Sequence, residues 1–226
     1  MARLPNYYRW TYGDALPYLS GCVVELGCGA GLGIRRYLDR VDRVVAVDHN
    51  EQLLQRVRDT LPAGKVEPRR VDLRGDWAEL RDLRADAAVL MDILEHFEDD
   101  VGFLRKAAGL LKPGGKLVLK VPSQPRLFSN VDRASGHARR YDAAGLEKAA
   151  AAAGLRALRI RPVNPLGALA YRFKRKYPVN FSRTFPEWQL AVINVLMPFL
   201  RCADFIPGIR GLSLIGVFER MAPPRP

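Results

Sequence analysis

Glycines at 27, 29 and 31 follow an acidic residue in the run Val23-Val24-Glu25-Leu26-Gly27-Cys28-Gly29-Ala30-Gly31-Leu32-Gly33. A turn of this composition lets a ligand approach backbone amides, because no Cβ stands in the way. The dinucleotide register G-x-G-x-x-G is not met: counted from Gly27 the third glycine position is Leu32, and counted from Gly29 it is Ile34. Glu25 at the end of the preceding apolar run suits a cationic amino group better than a phosphate. Asp48 closes the next apolar run, Val44-Val45-Ala46-Val47, and a carboxylate there is placed to accept from both hydroxyls of a ribose. Further on, His96 and His137 fall just beyond the fourth and fifth apolar runs. Both can change protonation near neutral pH, which makes them candidates for a general base. Arg139 and Arg140 next to Tyr141 allow two readings: a bidentate clamp on an anionic acceptor, or ion pairs that fix their own loop.

The elements that must hold these residues alternate strand and helix. Strands are expected at 21–26, 43–48, 65–71, 86–91, 116–121, 155–163 and 212–219, ending in turn signals such as Pro62-Ala63-Gly64 and Pro113-Gly114-Gly115. Helices are expected from Gly31 to Asp39 with Leu32, Tyr37 and Leu38 inward, after the N-cap Asn50, over 99–111, and after the N-cap Asp142. The stretch 122–141 reads as a loop. The order implies an α/β chain, a parallel sheet with helices on both faces, and the strand at 212–219 comes last. Residues 164–211 are far too long for the hairpin before that strand and read as a helical insertion, with helices near 166–177 and 186–204. The first carries Arg172, Lys174, Arg175 and Lys176. The second is apolar around most of its circumference, yet too short to span a bilayer. A lid, a homodimer interface and a peripheral membrane contact are all open for the insertion. The aromatic segment 5–20 either folds over a ligand or packs on the sheet edge.

The chain of 226 residues fits one domain, 1–226, carrying that insertion. Cys22, Cys28 and Cys202 are odd in number and spaced like reduced thiols, and residues 1–8 lack an apolar targeting core, so the expected address is cytoplasmic. The net charge is +12, but arginine outnumbers lysine 28 to 8 and is scattered over almost every segment. A nucleic-acid docking stripe would be denser, so solvated surface is the favoured reading of this charge.

Glu25-Leu26-Gly27-Cys28-Gly29-Ala30-Gly31, together with Asp48, Asp72, Asp92-Ile93-Leu94-Glu95-His96 and Pro113-Gly114-Gly115, resembles the motif set of the class I S-adenosylmethionine-dependent methyltransferases. The block after strand four is similar to that of the subfamily containing ubiquinone-pathway O-methyltransferases. The resemblance covers roughly 20–163 and 212–220, and it implies a Rossmann-like, doubly wound seven-stranded sheet with an antiparallel last strand and a helical insertion before it. It implies S-adenosylmethionine as cofactor, bounded by Glu25, Gly27, Cys28, Gly29, Gly31, Asp48, His49, Asp72, Leu73, Met91 and Asp92, with His137 and His96 as the catalytic candidates. It implies O- or N-methylation of a small-molecule acceptor in a biosynthetic pathway. An RNA methyltransferase and a non-catalytic S-adenosylmethionine-binding partner protein are the alternatives. Some relatives hold a divalent metal on an outline matched here by Asp92, Glu95, His96 and His137. Asp92 is shorter than the usual glutamate and the surroundings of His137 differ, so a metal is not favoured.

Overall fold

The computed structural model describes residues 5–174, 187–206, 208 and 210–222. Its centre is a seven-stranded sheet in the order β3-β2-β1-β4-β5-β7-β6. The strands are β1 (Cys22–Leu26), β2 (Arg43–Asp48), β3 (Val66–Arg70), β4 (Ala85–Met91), β5 (Leu111–Pro122), β6 (Leu155–Val163) and β7 (Ser213–Arg220). The first five run parallel, and β7 lies antiparallel to both β5 and β6. This is the expected Rossmann-like topology.

β1 and β2 read as near-continuous β-branched runs because both their faces are covered, the signature of a parallel sheet between helical layers. On one face Val23, Val44 and Ala46 pack with α1 (Pro5–Gly13) and α2 (Glu51–Thr60). On the other, Val24, Leu26, Val45 and Val47 pack with Trp77, α3 (Asp100–Gly109) and α5 (Ala143–Ala152). The helix starts are set by side-chain caps: Asn50 accepts from the amides of Gln52 and Leu53, Asp99 from Gly102, and Asp142 from Gly145.

Two expectations need correction. The helix from Gly31 to Asp39 is instead a pair of 3-10 turns, Ile34–Arg36 and Leu38–Arg40, with Ile34, Tyr37 and Leu38 buried and Leu32 only half-buried. The break falls at Tyr37, whose φ of −129° leaves the helical range while its phenol reaches Glu25. The loop at 122–141 also contains a short helix, α4 (Asn130–Ala134), started by a capping box between Ser129 and Asp132. Between β6 and β7 stand α6 (Pro165–Lys174), α7 (Glu187–Leu200) and a 3-10 turn, Arg201–Phe205. Arg175 and Lys176, read above as part of a basic helix, lie outside the described residues.

Candidate functional site

The chain passes from β1 outward through β2 to β3, then returns to β4 on the other side of β1. Ligands of open α/β sheets bind at the carboxyl ends of strands where the order reverses in this way. The glycine turn lies at that point. Gly27, Gly29 and Gly31 adopt φ of 77°, 56° and 71°, a left-handed backbone that side chains resist. A Cβ on Gly31 would meet Leu61 at 2.8 Å, whereas one on Gly29 would meet nothing within 4 Å. Gly31 is therefore required by packing, and Gly29 faces open space.

Asp48, at the tip of β2, ties this turn down: its Oδ2 accepts from the Gly29 amide at 2.9 Å and its Oδ1 from the Asn50 amide at 2.9 Å. Each carboxylate oxygen keeps a lone pair for a further donor. His49 stands exposed beside Asp48, its Nδ1 3.5 Å from Oδ1. Cys28 is buried, and burial pushes its thiol far above the ordinary range.

Glu25 is placed differently from the sequence reading. It is 2% exposed, and its two oxygens accept from Tyr12 at 2.6 Å and from Tyr37 at 2.5 Å. Burial raises its carboxyl to about 7, against the two phenol bonds that favour the charged form. Tyr12 belongs to α1, and its ring lies where a Cβ on Gly33 would be, so the aromatic N-terminal segment packs directly onto the glycine turn. Asp72 is exposed and accepts from the Arg74 amide, forming a turn ahead of buried Trp77, while Leu73 packs half-buried against the core.

Met91 ends β4 half-buried, and Asp92 follows it with φ of 57°. The Asp92 carboxylate is gripped by Lys120 of β5, the nearer pair aside, at 2.6 Å, and the same ammonium lies 3.1 Å from the Tyr7 hydroxyl. Lys120 is 4% exposed. Burial would lower its pKa, but the Asp92 charge and Tyr7 outweigh that and hold it above its ordinary value. Sequence reasoning missed Lys120, although a lone lysine inside Leu117-Val118-Leu119-Lys120-Val121 was the available signal.

The histidine side of the site is assembled from distant segments. His96 and His137 meet edge to face, their ring centroids 4.9 Å apart. Nδ1 of His96 lies 3.2 Å from the Gly136 carbonyl, and Nδ1 of His137 lies 3.2 Å from Asp132 Oδ1. Both partners are acceptors, so Nδ1 carries the hydrogen in each ring and Nε2 is left as the basic atom. Burial, with His137 alongside, lowers the pKa of His96.

Asp132, the second residue missed in the sequence, is 1% exposed and also accepts from Arg140 at 2.8 Å and from Tyr171 of α6 at 2.8 Å. Burial alone would raise its carboxyl; His137, Arg140 and Tyr171 reverse that and hold it well below the usual range. Of the two readings for the arginines, both pair with acids of their own chain: Arg140 with Asp132, and Arg139 with Asp100 at 3.0 Å.

Glu95 is buried, and among the described residues its Oε2 has no hydrogen-bond partner. Burial, with Asp92 nearby, pushes its carboxyl upward. Oxygen or nitrogen atoms of Glu95, His96 and His137 lie within 4.8 Å of one another, so among the described residues these three could hold a divalent cation. Asp92, the fourth residue of the expected outline, does not join them, because its carboxylate is paired with Lys120.

Residues 24–119 match the family described as "Methyltransferase domain". Among curated proteins, a probable S-adenosylmethionine-dependent methyltransferase of Mycolicibacterium smegmatis is 33% identical over 105 residues, covering 45% of this chain and 38% of that one. A ubiquinone biosynthesis O-methyltransferase of Xanthomonas axonopodis is 36% identical over 98 residues, covering 43% and 41%. The chain thus spans less than two thirds of the length of these relatives. Among solved structures, an S-adenosylmethionine-dependent methyltransferase from Mesorhizobium loti superposes with a TM-score of 0.66 at 19% identity, covering 94% and 98% of the two chains. A complex of the Haloferax volcanii Trm112 methyltransferase activator with a putative methyltransferase gives 0.66 at 18% identity, covering 97% and 92%. At these identities the likeness is one of fold. It is the seven-stranded fold shared with methyltransferases, and the matched sequence carries the glycine turn, Asp48, Asp92 and Glu95-His96.

Proposed function

We propose that the chain is an S-adenosylmethionine-dependent methyltransferase acting on an oxygen or nitrogen of a small molecule. The observation that carries this reading is the left-handed glycine turn tied to Asp48 at the reversal of strand order, with Gly29 facing open space. The donor set fits a nucleoside with an amino-acid tail: free lone pairs on Asp48 for ribose hydroxyls, and carbonyls of the glycine turn for the ammonium of the tail, the amides of Gly27, Gly29 and Gly31 being already bonded within the chain. Met91, Asp92, Asp72 and Leu73, at or just beyond the carboxyl ends of β4 and β3, are assigned to the cofactor side. Glu25 shapes the turn from beneath through Tyr12 and Tyr37. When bound, the cofactor supplies a methyl group activated by its positively charged sulfur.

What this chain must then do is hold the acceptor in line and take its proton, and positioning alone is worth several kcal/mol. His137 is the base: Asp132 holds Nδ1–H and leaves Nε2 to accept the acceptor's proton. His96 packs edge on against it. The likeness of Asp92 to His96 to the ubiquinone-pathway enzymes supports oxygen over nitrogen as the methylated atom.

A second reading is supported by the unpartnered Oε2 of Glu95 beside the two imidazoles: a cation there would lower the acceptor hydroxyl's pKa instead. The tests are calorimetric titration with S-adenosylmethionine and with NAD, then release of S-adenosylhomocysteine from candidate acceptors with and without chelator. Binding of NAD alone would overturn the assignment. Chelator-sensitive turnover would transfer the base's role to a metal.

A further inference from the structure

The described residues include ten exposed large hydrophobic side chains, and eight of them lie between 165 and 206. Four sit on α7 at Val192, Val195, Leu196 and Phe199, which is the i, i+3, i+4, i+7 spacing that normally marks the buried stripe of a helix. Here that stripe faces outward, with Phe199 73% and Val195 64% exposed. The opposite side of α7 carries Asn194, which pairs with Asn6 of α1, and buried Met197. The helix is therefore amphipathic in the wrong sense for a domain surface, and large exposed apolar patches mark contact sites.

We propose that this outer face of α7, with Phe205 and Leu169 on the neighbouring turn and helix, docks on an anionic lipid bilayer surface. The charges on the insertion favour that occupant. Arg172 and Arg210 are exposed and have no acidic partner within ion-pair distance among the described residues, while Arg201 is turned inward against Gly13 of α1 and Asp204 to the Trp10 indole and the Asn164 amide. No helix among the described residues is long and apolar enough to cross a membrane, so α7 lies along the interface with its stripe in the acyl boundary and arginines at the headgroups. A two-fold contact between copies would set these arginines near their own counterparts. A nucleic acid would have no use for the apolar stripe. This inference stands independently of the methyl-transfer reading.

The test is flotation of the full chain with vesicles of phosphatidylcholine alone and with about 30% phosphatidylglycerol added. The expected result is association with the anionic vesicles only, weakened by salt, and reduced about tenfold or more in V195D/F199D. A second pair, L169D/F205D, should lower it too, and unchanged thermal melting in both variants shows that the face, and not the fold, was altered. Absence of binding to anionic vesicles, or equal binding by both variants, overturns the proposal. So does a wild-type dimer that V195D/F199D dissociates, which would give the face to a second copy, or binding that a nuclease abolishes.

Discussion

The two halves of the crevice are built by opposite means. On the glycine-turn side, function is written into backbone: three left-handed glycines, two amides tied to Asp48, and strands buried on both faces. On the histidine side it is written into side chains from four separate segments, with Asp132 of α4 joining His137, Arg140 and Tyr171. A backbone site is contiguous in sequence and tolerates little change. A side-chain site is scattered, and one anion, Asp132, holds it together.

The largest expected effect tests the backbone side. Asp48→Ala leaves the Gly29 and Asn50 amides without their acceptor and removes the proposed ribose contact, and each lost partner costs about 1–3 kcal/mol. Affinity for S-adenosylmethionine by calorimetry should fall a thousandfold or so, taking two such losses together. Unchanged affinity would remove Asp48 from the cofactor site. Next is Glu25→Gln, which touches the same turn through stability. With its carboxyl raised from 4.5 to about 7, folded Glu25 binds more protons than unfolded Glu25 across that interval. The wild type is then most stable below about pH 4.5 in this contribution and loses it as pH rises through 7, up to about 3 kcal/mol. The neutral amide has no charge to desolvate, so urea midpoints of Glu25→Gln should fall less from pH 5 to 8 than those of the wild type, the remaining decline being that of Glu95, whose carboxyl is also raised, to about 8. Parallel profiles in the two proteins would mean that the two tyrosines fully compensate the buried charge of Glu25.

The same contrast explains what the sequence disclosed. The turn was legible because eleven consecutive residues carry it, and Asn50, Asp99 and Asp142 announce their helices by composition. Seven strands and the helical insertion followed from apolar runs and breaks. The inward aim of Glu25 was not legible, since it depends on Tyr12 and Tyr37 arriving from either side. Tyr37 also shows why the helix after the turn was misread: Ile34, Tyr37 and Leu38 have helical spacing, yet the phenol's reach to Glu25 breaks the helix there. Lys120 and Asp132 each left a local trace, a charge in an apolar run and a Ser129-x-x-Asp132 capping box. That Lys120 pairs with Asp92, 28 residues away, and Asp132 with Tyr171, 39 residues away, left none.

On the side-chain half, Asp132→Asn should lower kcat on the order of a hundredfold with little change in KM, because an amide no longer fixes the His137 tautomer. Arg140 also loses its charge partner, keeping only the Ser123 carbonyl and the Tyr171 ring, so R140Q in the same background should recover stability without recovering rate.

Tyr171→Phe is the finest probe, because it separates the insertion from the chemistry. Its hydroxyl reaches Asp132 at 2.8 Å and Ser129 at 2.7 Å, while its ring lies under the Arg140 guanidinium at 4.4 Å. Phenylalanine keeps the ring and its cation–π contact and removes one of several donors to a carboxylate that retains His137, Arg140 and the Ser129 amide. Loss of one such bond is worth about 1 kcal/mol, so kcat should fall less than about tenfold. A fall as deep as that of Asp132→Asn would mean that α6 reaches the acceptor itself. The histidine half would then extend into the insertion, and the contrast with the compact glycine turn would be wider than the described contacts reveal.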